Sequence, residues 1–205
     1  MTLADGMTLR ADVIGRSPGP WRLLVLCCLG YLLVLAAWSA PGPGADDAPV
    51  PPEQAIKAAF LYKFLGYVEW RRGALAEPAS PIVIGVLGAD DIAEALRTLA
   101  SGRAVGDHPI EVRRVHPGDP LERLHMLFVG RTESSRVAHL APLAQQHGVL
   151  LVTDFEGALD EGSAINLLVI GNRVRFEVSL DATEKSGLRL SSRMLAVALW
   201  VRPAH

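Results

Sequence analysis

The sequence contains very little cysteine. Its two cysteines, Cys27 and Cys28, are neighbours inside an apolar run near the N-terminus. If that run is removed, the remaining chain has no thiol. Disulfides, thiolate nucleophiles and cysteine-bound metals are then excluded, and we expect the fold to be held by its core alone.

The chain also lacks a strong charge of either sign. Its formal net charge is -2, and no lysine- or arginine-rich block follows residue 45. Proteins that bind nucleic acids rely on such blocks to neutralise phosphates. The sequence therefore predicts no nucleic-acid partner.

Motifs for catalysis and for cofactors are missing as well. The six histidines have no spacing typical of one metal site, and there is no Gly-x-Ser-x-Gly nucleophile turn. The segment Gly85–Gly88 has two glycines, and Asp90 and Asp91 follow where a bound phosphate would need positive charge. We expect no metal, no cofactor and no enzymatic activity.

The N-terminal region has the order of an export signal. Arginines precede the apolar run Leu23–Trp38, and small and turn-forming residues follow it. As a helix the run would cover roughly 24 Å, which is short of the roughly 30 Å hydrocarbon core of a membrane. We predict a cleaved signal peptide over 1–45, with an uncleaved anchor as the alternative, a flexible tether over 46–52 and one domain over 53–205.

Helical and strand patterns alternate through most of this domain. Alternation of this kind is typical of a largely parallel sheet covered by helices. The predicted helices are Glu53–Tyr67, Asp91–Ala100 and Glu133–His147, and the predicted strands are Ile82–Leu87, Ile110–Val115, Met126–Val129 and Val149–Val152.

The pattern changes at Ala164. Two strand-like segments are separated by Gly171-Asn172, which predicts a tight antiparallel hairpin, and Arg193–Val201 reads as a closing helix packed on the sheet. The predicted fold class is therefore α/β, with a mostly parallel sheet flanked by helices, a C-terminal antiparallel hairpin and a closing helix.

The hairpin register predicts one apolar face and one mixed face. The mixed face carries Asn166, Arg175 and Glu177 together with Leu168 and Ile170, and it is a candidate partner-binding surface. The alternative is a structural hydrogen-bonded pair on a solvated strand. Three further candidates for partner contact come from the first helix and its end, namely Tyr62, Lys63 and Trp70, of which Tyr62 and Trp70 are also candidates for the core.

Two motifs in the sequence resemble those of a known family. Ala59–Trp70 resembles the N-terminal helix signature of YfiR-like periplasmic proteins, and Ile165–Leu167, Arg173–Val178 and Gly187–Ser192 resemble their closing motif. The resemblance spans about Glu53 to Arg202. The best-known members of this family are stabilised by disulfides, whereas this chain has no cysteine outside its N-terminal apolar run. Redox control of the kind those members show is therefore not expected here.

The resemblance implies a function and partners. It implies a soluble periplasmic protein that represses a membrane-bound diguanylate cyclase by binding the periplasmic domain of that enzyme, which lowers cyclic di-GMP and biofilm formation. An outer-membrane lipoprotein and a second copy of the chain are further candidate partners. The alternative from the residues is a periplasmic small-molecule receptor or enzyme, whose ligand lies at the carboxyl ends of the strands near Gly88, Gly130 and Asp154.

Overall fold

The structure is a computed structural model that describes residues 52–75, 77 and 79–204. The predicted signal peptide or anchor and nearly all of the predicted tether lie outside these residues, as do both cysteines. Within the described part of the chain, no helix combines the length and the apolar character that crossing a membrane requires.

The first helix, α1, spans Glu53–Phe64, and a 3-10 turn extends it to Tyr67, as predicted. The spacing of Ile56, Phe60, Phe64 and Tyr67 predicts that these side chains form its core face. Phe64 is buried, and Ile56 and Phe60 are partly buried against the larger core. Tyr67 departs from the prediction because it is 41% exposed, and the helix also buries Lys57, Ala58 and Leu61. The spacing of four and three residues from Lys57 to Phe64 is equally helical, so periodicity alone did not separate the two faces.

Within the described residues, eight strands form the main sheet, and two short strands form a second one. The strands are β1 Val68–Glu69, β2 Ile82–Leu87, β3 Ala104–Val105, β4 His108–Arg114, β5 Met126–Val129, β6 Leu150–Thr153, β7 Ile165–Ile170, β8 Arg173–Ser179, β9 Arg189–Leu190 and β10 Trp200–Arg202. The main sheet has the order β10-β8-β7-β6-β5-β2-β4-β3, and β1 pairs with β9. Four successive pairings from β4 to β7 are parallel. The mainly parallel sheet flanked by helices is therefore confirmed.

The other helices are α2 Asp90–Ala100, α3 Val137–His147, α4 Leu180–Lys185 and α5 Ser192–Leu195, and a 3-10 segment over Arg131–Arg136 precedes α3. The spacing of Asp91 and Glu94 predicts an N-cap at Asp91 for helix α2, and the structure does not place it there. Ala89 occupies the N-cap position and makes no side-chain cap, while the Asp91 carboxylate accepts a hydrogen bond from the neighbouring Ile92 N–H at 2.8 Å. The aspartates still lie in the first turn, where the helix dipole favours them.

The sheet has a core on each face. The larger core lies between the sheet and α1 and α2, with an edge-to-face contact of Phe64 on Phe176 at 5.2 Å between ring centroids. The smaller core lies between β2, β5 and β6 and helix α3, where Leu127, Leu151 and Val137 are buried. Because the central strands are covered on both sides, they read as continuous apolar runs.

The C-terminal hairpin is confirmed in its turn and in its register. Gly171 and Asn172 both have positive φ, at 54° and 59°, which is the backbone of a type I′ turn. Asn166 pairs with Glu177 and Leu168 with Arg175, as the two-residue loop predicts.

The predicted closing helix over Arg193–Val201 is wrong. Helix α5 ends at Leu195, with Ser191 as its N-cap, and the chain then becomes extended and forms β10 parallel to β8. Leu199 N–H already donates to the Phe176 carbonyl at 2.8 Å. Pairing with an existing edge strand satisfies backbone groups that a short exposed helix would leave to water, and it overrides the helical spacing of the apolar residues.

Candidate functional site: an open sheet face and a polar cleft

The α3 side of the sheet is covered only in part. The strand register places Trp200 beside Glu177 and Ile170 opposite Arg173. These four side chains lie on the same face of the sheet that α3 covers at the central strands. Ile170 is 50% exposed and Trp200 is 48% exposed, and Arg175 is exposed between them. We call Leu168, Ile170, Arg175, Glu177 and Trp200 the open face.

Topology explains why this face is bare. A parallel pair needs a crossover that lays a helix over the sheet, whereas β7 and β8 are joined by two residues. The hairpin therefore adds two strands to the sheet without adding a covering helix.

Asn166 is the one sequence-predicted surface residue that the structure removes from the surface. It is fully buried. Its amide nitrogen donates to the Phe155 carbonyl at 2.8 Å and to Glu177 Oε1 at 2.9 Å, and its amide oxygen accepts from Thr153 Oγ1 at 2.9 Å and from Phe155 N–H at 3.2 Å. All four hydrogen-bonding positions of the amide are used inside the protein, so the structural alternative describes Asn166.

This amide holds the open face in place. Glu177 is fixed by the hydrogen bond from Asn166, and Phe155 belongs to the connection that crosses over β7. On the outer strand, the Arg202 guanidinium lies over the Trp200 ring at 5.2 Å from its centroid and donates to Asp160 at 2.6 Å. Such contacts orient an exposed aromatic ring before any partner arrives.

The three candidates from the first helix and its end lie elsewhere. Tyr62 and Trp70 are half-buried and pack against the larger core. Arg103 lies over the Tyr62 ring at 5.6 Å, and Trp70 meets His125 edge-on at 5.7 Å. Lys63 is exposed. These ring contacts of Tyr62 and Trp70 do not involve β7, β8 or β10. The six candidates therefore do not form one cluster.

Trp200 is the residue that sequence reasoning missed. The helical spacing of its apolar neighbours predicts that it lies in a helix packed on the sheet. The available signal was Trp200-Val201-Arg202, in which a β-prone aromatic and a β-branched residue are followed by an arginine directly before Pro203. Such a segment favours extended structure over helix.

A separate cleft lies at the carboxyl ends of the central parallel strands. Gly88, Gly130 and Asp154, which follow β2, β5 and β6, line it together, and its volume is about 340 Å³. The first two of these loops touch directly: a Cβ on Gly130 would lie 2.5 Å from the Gly88 carbonyl oxygen. Thr132 Oγ1 donates to that same carbonyl at 2.8 Å. Glycines thus allow two backbones to approach and form one wall of the cleft.

No group of three or more metal-binding side chains is found within the described residues. The fold and its two sites define the class of protein: a mixed α/β domain with a mainly parallel sheet, a C-terminal hairpin whose outer face is bare, and a polar cleft at the strand ends.

Comparison with known proteins assigns the family. The model of the YfiR/HmsC-like family matches residues 54–199, which is more than half of the chain, and the chain belongs to this family. The family is known for periplasmic regulation of diguanylate cyclase signalling, which suggests a regulator rather than an enzyme.

A solved structure supports the fold. A conserved domain protein from Vibrio cholerae matches with a TM-score of 0.52 over 73% of this chain, at 12% sequence identity. The match covers 60% of that protein's chain. At this identity the likeness concerns the fold alone.

Proposed function

We propose that residues 53–205 form a periplasmic regulatory domain that represses an inner-membrane diguanylate cyclase by binding its periplasmic domain, and that the chain is exported by its N-terminal signal segment. The observation that carries this proposal is membership of a family of periplasmic regulators over residues 54–199. The domain acts by binding and performs no catalysis. An outer-membrane lipoprotein that relieves repression, and a second copy of the chain, are further partners in this proposal.

The open face is the proposed contact surface for the cyclase. It combines an exposed tryptophan, an exposed arginine and a half-exposed isoleucine. Tryptophan and arginine are the residues that most often dominate binding energy at interfaces, and exposed apolar area of this kind is covered in a complex. Because Trp200 is already oriented by Arg202, binding orders fewer side chains. Lys63 remains a secondary candidate, together with Tyr62 next to it and Trp70 after the end of the helix.

Deletion of the gene tests the regulatory function. We expect cellular cyclic di-GMP to rise in the deletion strain, and to return to its initial level when the full chain is supplied again. A copy that lacks residues 1–45 should fail to restore it, because it does not reach the periplasm. Unchanged cyclic di-GMP in the deletion strain would refute the proposed function.

Substitutions on the open face test the contact surface. Arg175→Glu and Trp200→Ala should each weaken binding to the purified periplasmic domain of the cyclase roughly 10-fold or more, which is the usual size of a dominant interface contact. The matched control is Arg123→Glu, because Arg123 is an exposed arginine in the loop before β5. Calorimetry with folded variants measures the dissociation constants. Equal affinities of all three variants would remove the open face from the proposal and leave the regulatory function standing.

A further inference from the structure

The cleft at the strand ends contains a group of charges around a buried lysine, which the proposed function does not use. Lys57 is 3% exposed, and its ammonium lies 2.6 Å from Glu53 Oε1 and 2.6 Å from Asp154 Oδ2. Glu53 comes from the same turn of α1, and Asp154 comes from the end of β6. One cation is therefore shared between two carboxylates.

One oxygen of this group has no partner. Asp154 Oδ1 is buried and accepts no hydrogen bond from any described residue. The Asp154 side chain is 7% exposed, and the residue lines the cleft. Leaving a buried carboxylate oxygen unpaired costs free energy, so an unpaired oxygen beside an open cleft indicates a missing donor.

The charges around the cleft indicate which donor fits. Its charged lining residues are Glu53, Asp91 and Asp154 on the negative side and Lys57 and Arg131 on the positive side. The sum of three negative and two positive charges is -1. The positive end of the α2 dipole is offset by the aspartates in its first turn.

We propose that this cleft binds a small organic amine, whose ammonium group donates a hydrogen bond to Asp154 Oδ1. The ammonium offsets the net negative charge of the lining and gives the buried oxygen a charge-assisted hydrogen bond. A neutral hydroxyl would pair the oxygen but leave the negative charge, and an anion would increase it. A volume of about 340 Å³ lies at the lower end of the range of small-molecule sites. This proposal does not depend on binding of the cyclase.

Calorimetric titration of the purified chain with putrescine tests the proposal. Phosphate buffer is required because Tris is itself an amine, and 1,4-butanediol is the matched neutral probe because hydroxyls replace both ammonium groups. We expect saturable binding of putrescine and at least 10-fold weaker binding of butanediol. Butanediol binding as tightly as putrescine, or no binding of putrescine at millimolar concentration, would overturn the proposal. So would Mg²⁺ that binds and blocks putrescine, since it would assign the cleft to a metal.

Two variants locate the bound amine. Asp154→Asn removes the charged acceptor and should weaken putrescine binding by roughly 10- to 100-fold, as expected for a hydrogen bond to a charged group. Glu53→Gln changes a half-exposed side chain, so it keeps the fold if Asp154→Asn does not, and it should weaken binding several-fold through the lost charge. Glu94→Gln, on the exposed side of α2 outside the cleft, is the control. Wild-type affinity in folded Asp154→Asn or in Glu53→Gln contradicts the proposal.

Discussion

The buried amide of Asn166 supports a quantitative prediction. Asn166→Ala removes four hydrogen bonds, two of which are to the backbone N–H and carbonyl of Phe155. Thr153 has a second acceptor in Ser163 Oγ at 2.9 Å, and the half-exposed Glu177 can turn to water. The two Phe155 groups have no such replacement. At about 1 to 3 kcal/mol for each unpaired group, we expect the free energy of unfolding to fall by about 2 to 6 kcal/mol.

Urea unfolding followed by circular dichroism measures this loss. The matched control is Glu177→Gln, since a glutamine oxygen can still accept from the Asn166 amide, and it should cost less than about 1 kcal/mol. A loss below about 1 kcal/mol in Asn166→Ala would show that water or a shift of the connection replaces the amide, and it would refute the view that Asn166 holds the connection over β7.

Two further predictions concern the cleft. Gly130→Ala places a Cβ 2.5 Å from the Gly88 carbonyl oxygen, so the backbone must shift, and the free energy of unfolding in urea should fall by about 1 to 3 kcal/mol. The control is Gly66→Ala, which has open space around it and should leave the free energy of unfolding unchanged or raise it by up to about 1 kcal/mol. Equal effects of the two substitutions would contradict the close approach of the two loops. Lys57→Met leaves the Asp154 carboxylate buried without its cation and should lower the free energy of unfolding by about 3 to 5 kcal/mol in the same measurement. The control is Lys185→Met at an exposed ion pair, which should cost less than about 1 kcal/mol. A similarly small loss in Lys57→Met would mean that water reaches Asp154.

The central sheet was predictable because local and global signals agree there. Ile82–Leu87 and Met126–Val129 are short apolar runs with turn residues at both ends, and strands buried on both faces require such runs. The hairpin was predictable for a similar reason. Gly171-Asn172 is typical of a two-residue hairpin loop, and a loop of that length fixes which residues of β7 and β8 pair with one another.

The C-terminal segment was only partly predictable from its own residues. Arg193–Val201 has helical spacing, but the segment forms one helical turn and then pairs with β8. The deciding factor is the free edge of β8, which exists only after the hairpin has formed. Local periodicity contains no information about such an edge.

The candidate sites were predictable only in part. The alternation of the hairpin placed Arg175 and Glu177 on one face, but it did not show that the connection after Asp154 crosses over Asn166 and buries it. The rule that ligand sites lie at the carboxyl ends of parallel strands placed Gly88, Gly130 and Asp154 near one another. The role of Lys57 was hidden, because a lysine on an amphipathic helix usually lies in solvent.

The two-residue turn at Gly171-Asn172 has a consequence for how this domain tolerates change. Inserting residues there would lengthen a loop at the far tip of the hairpin, where Val169 and Ile170 are already exposed to solvent. The sheet should therefore tolerate the inserted residues. Replacing the turn by a whole helical crossover would instead make β8 run parallel to β7, which would separate Arg175 from Trp200 and would also displace Phe176 from the larger core.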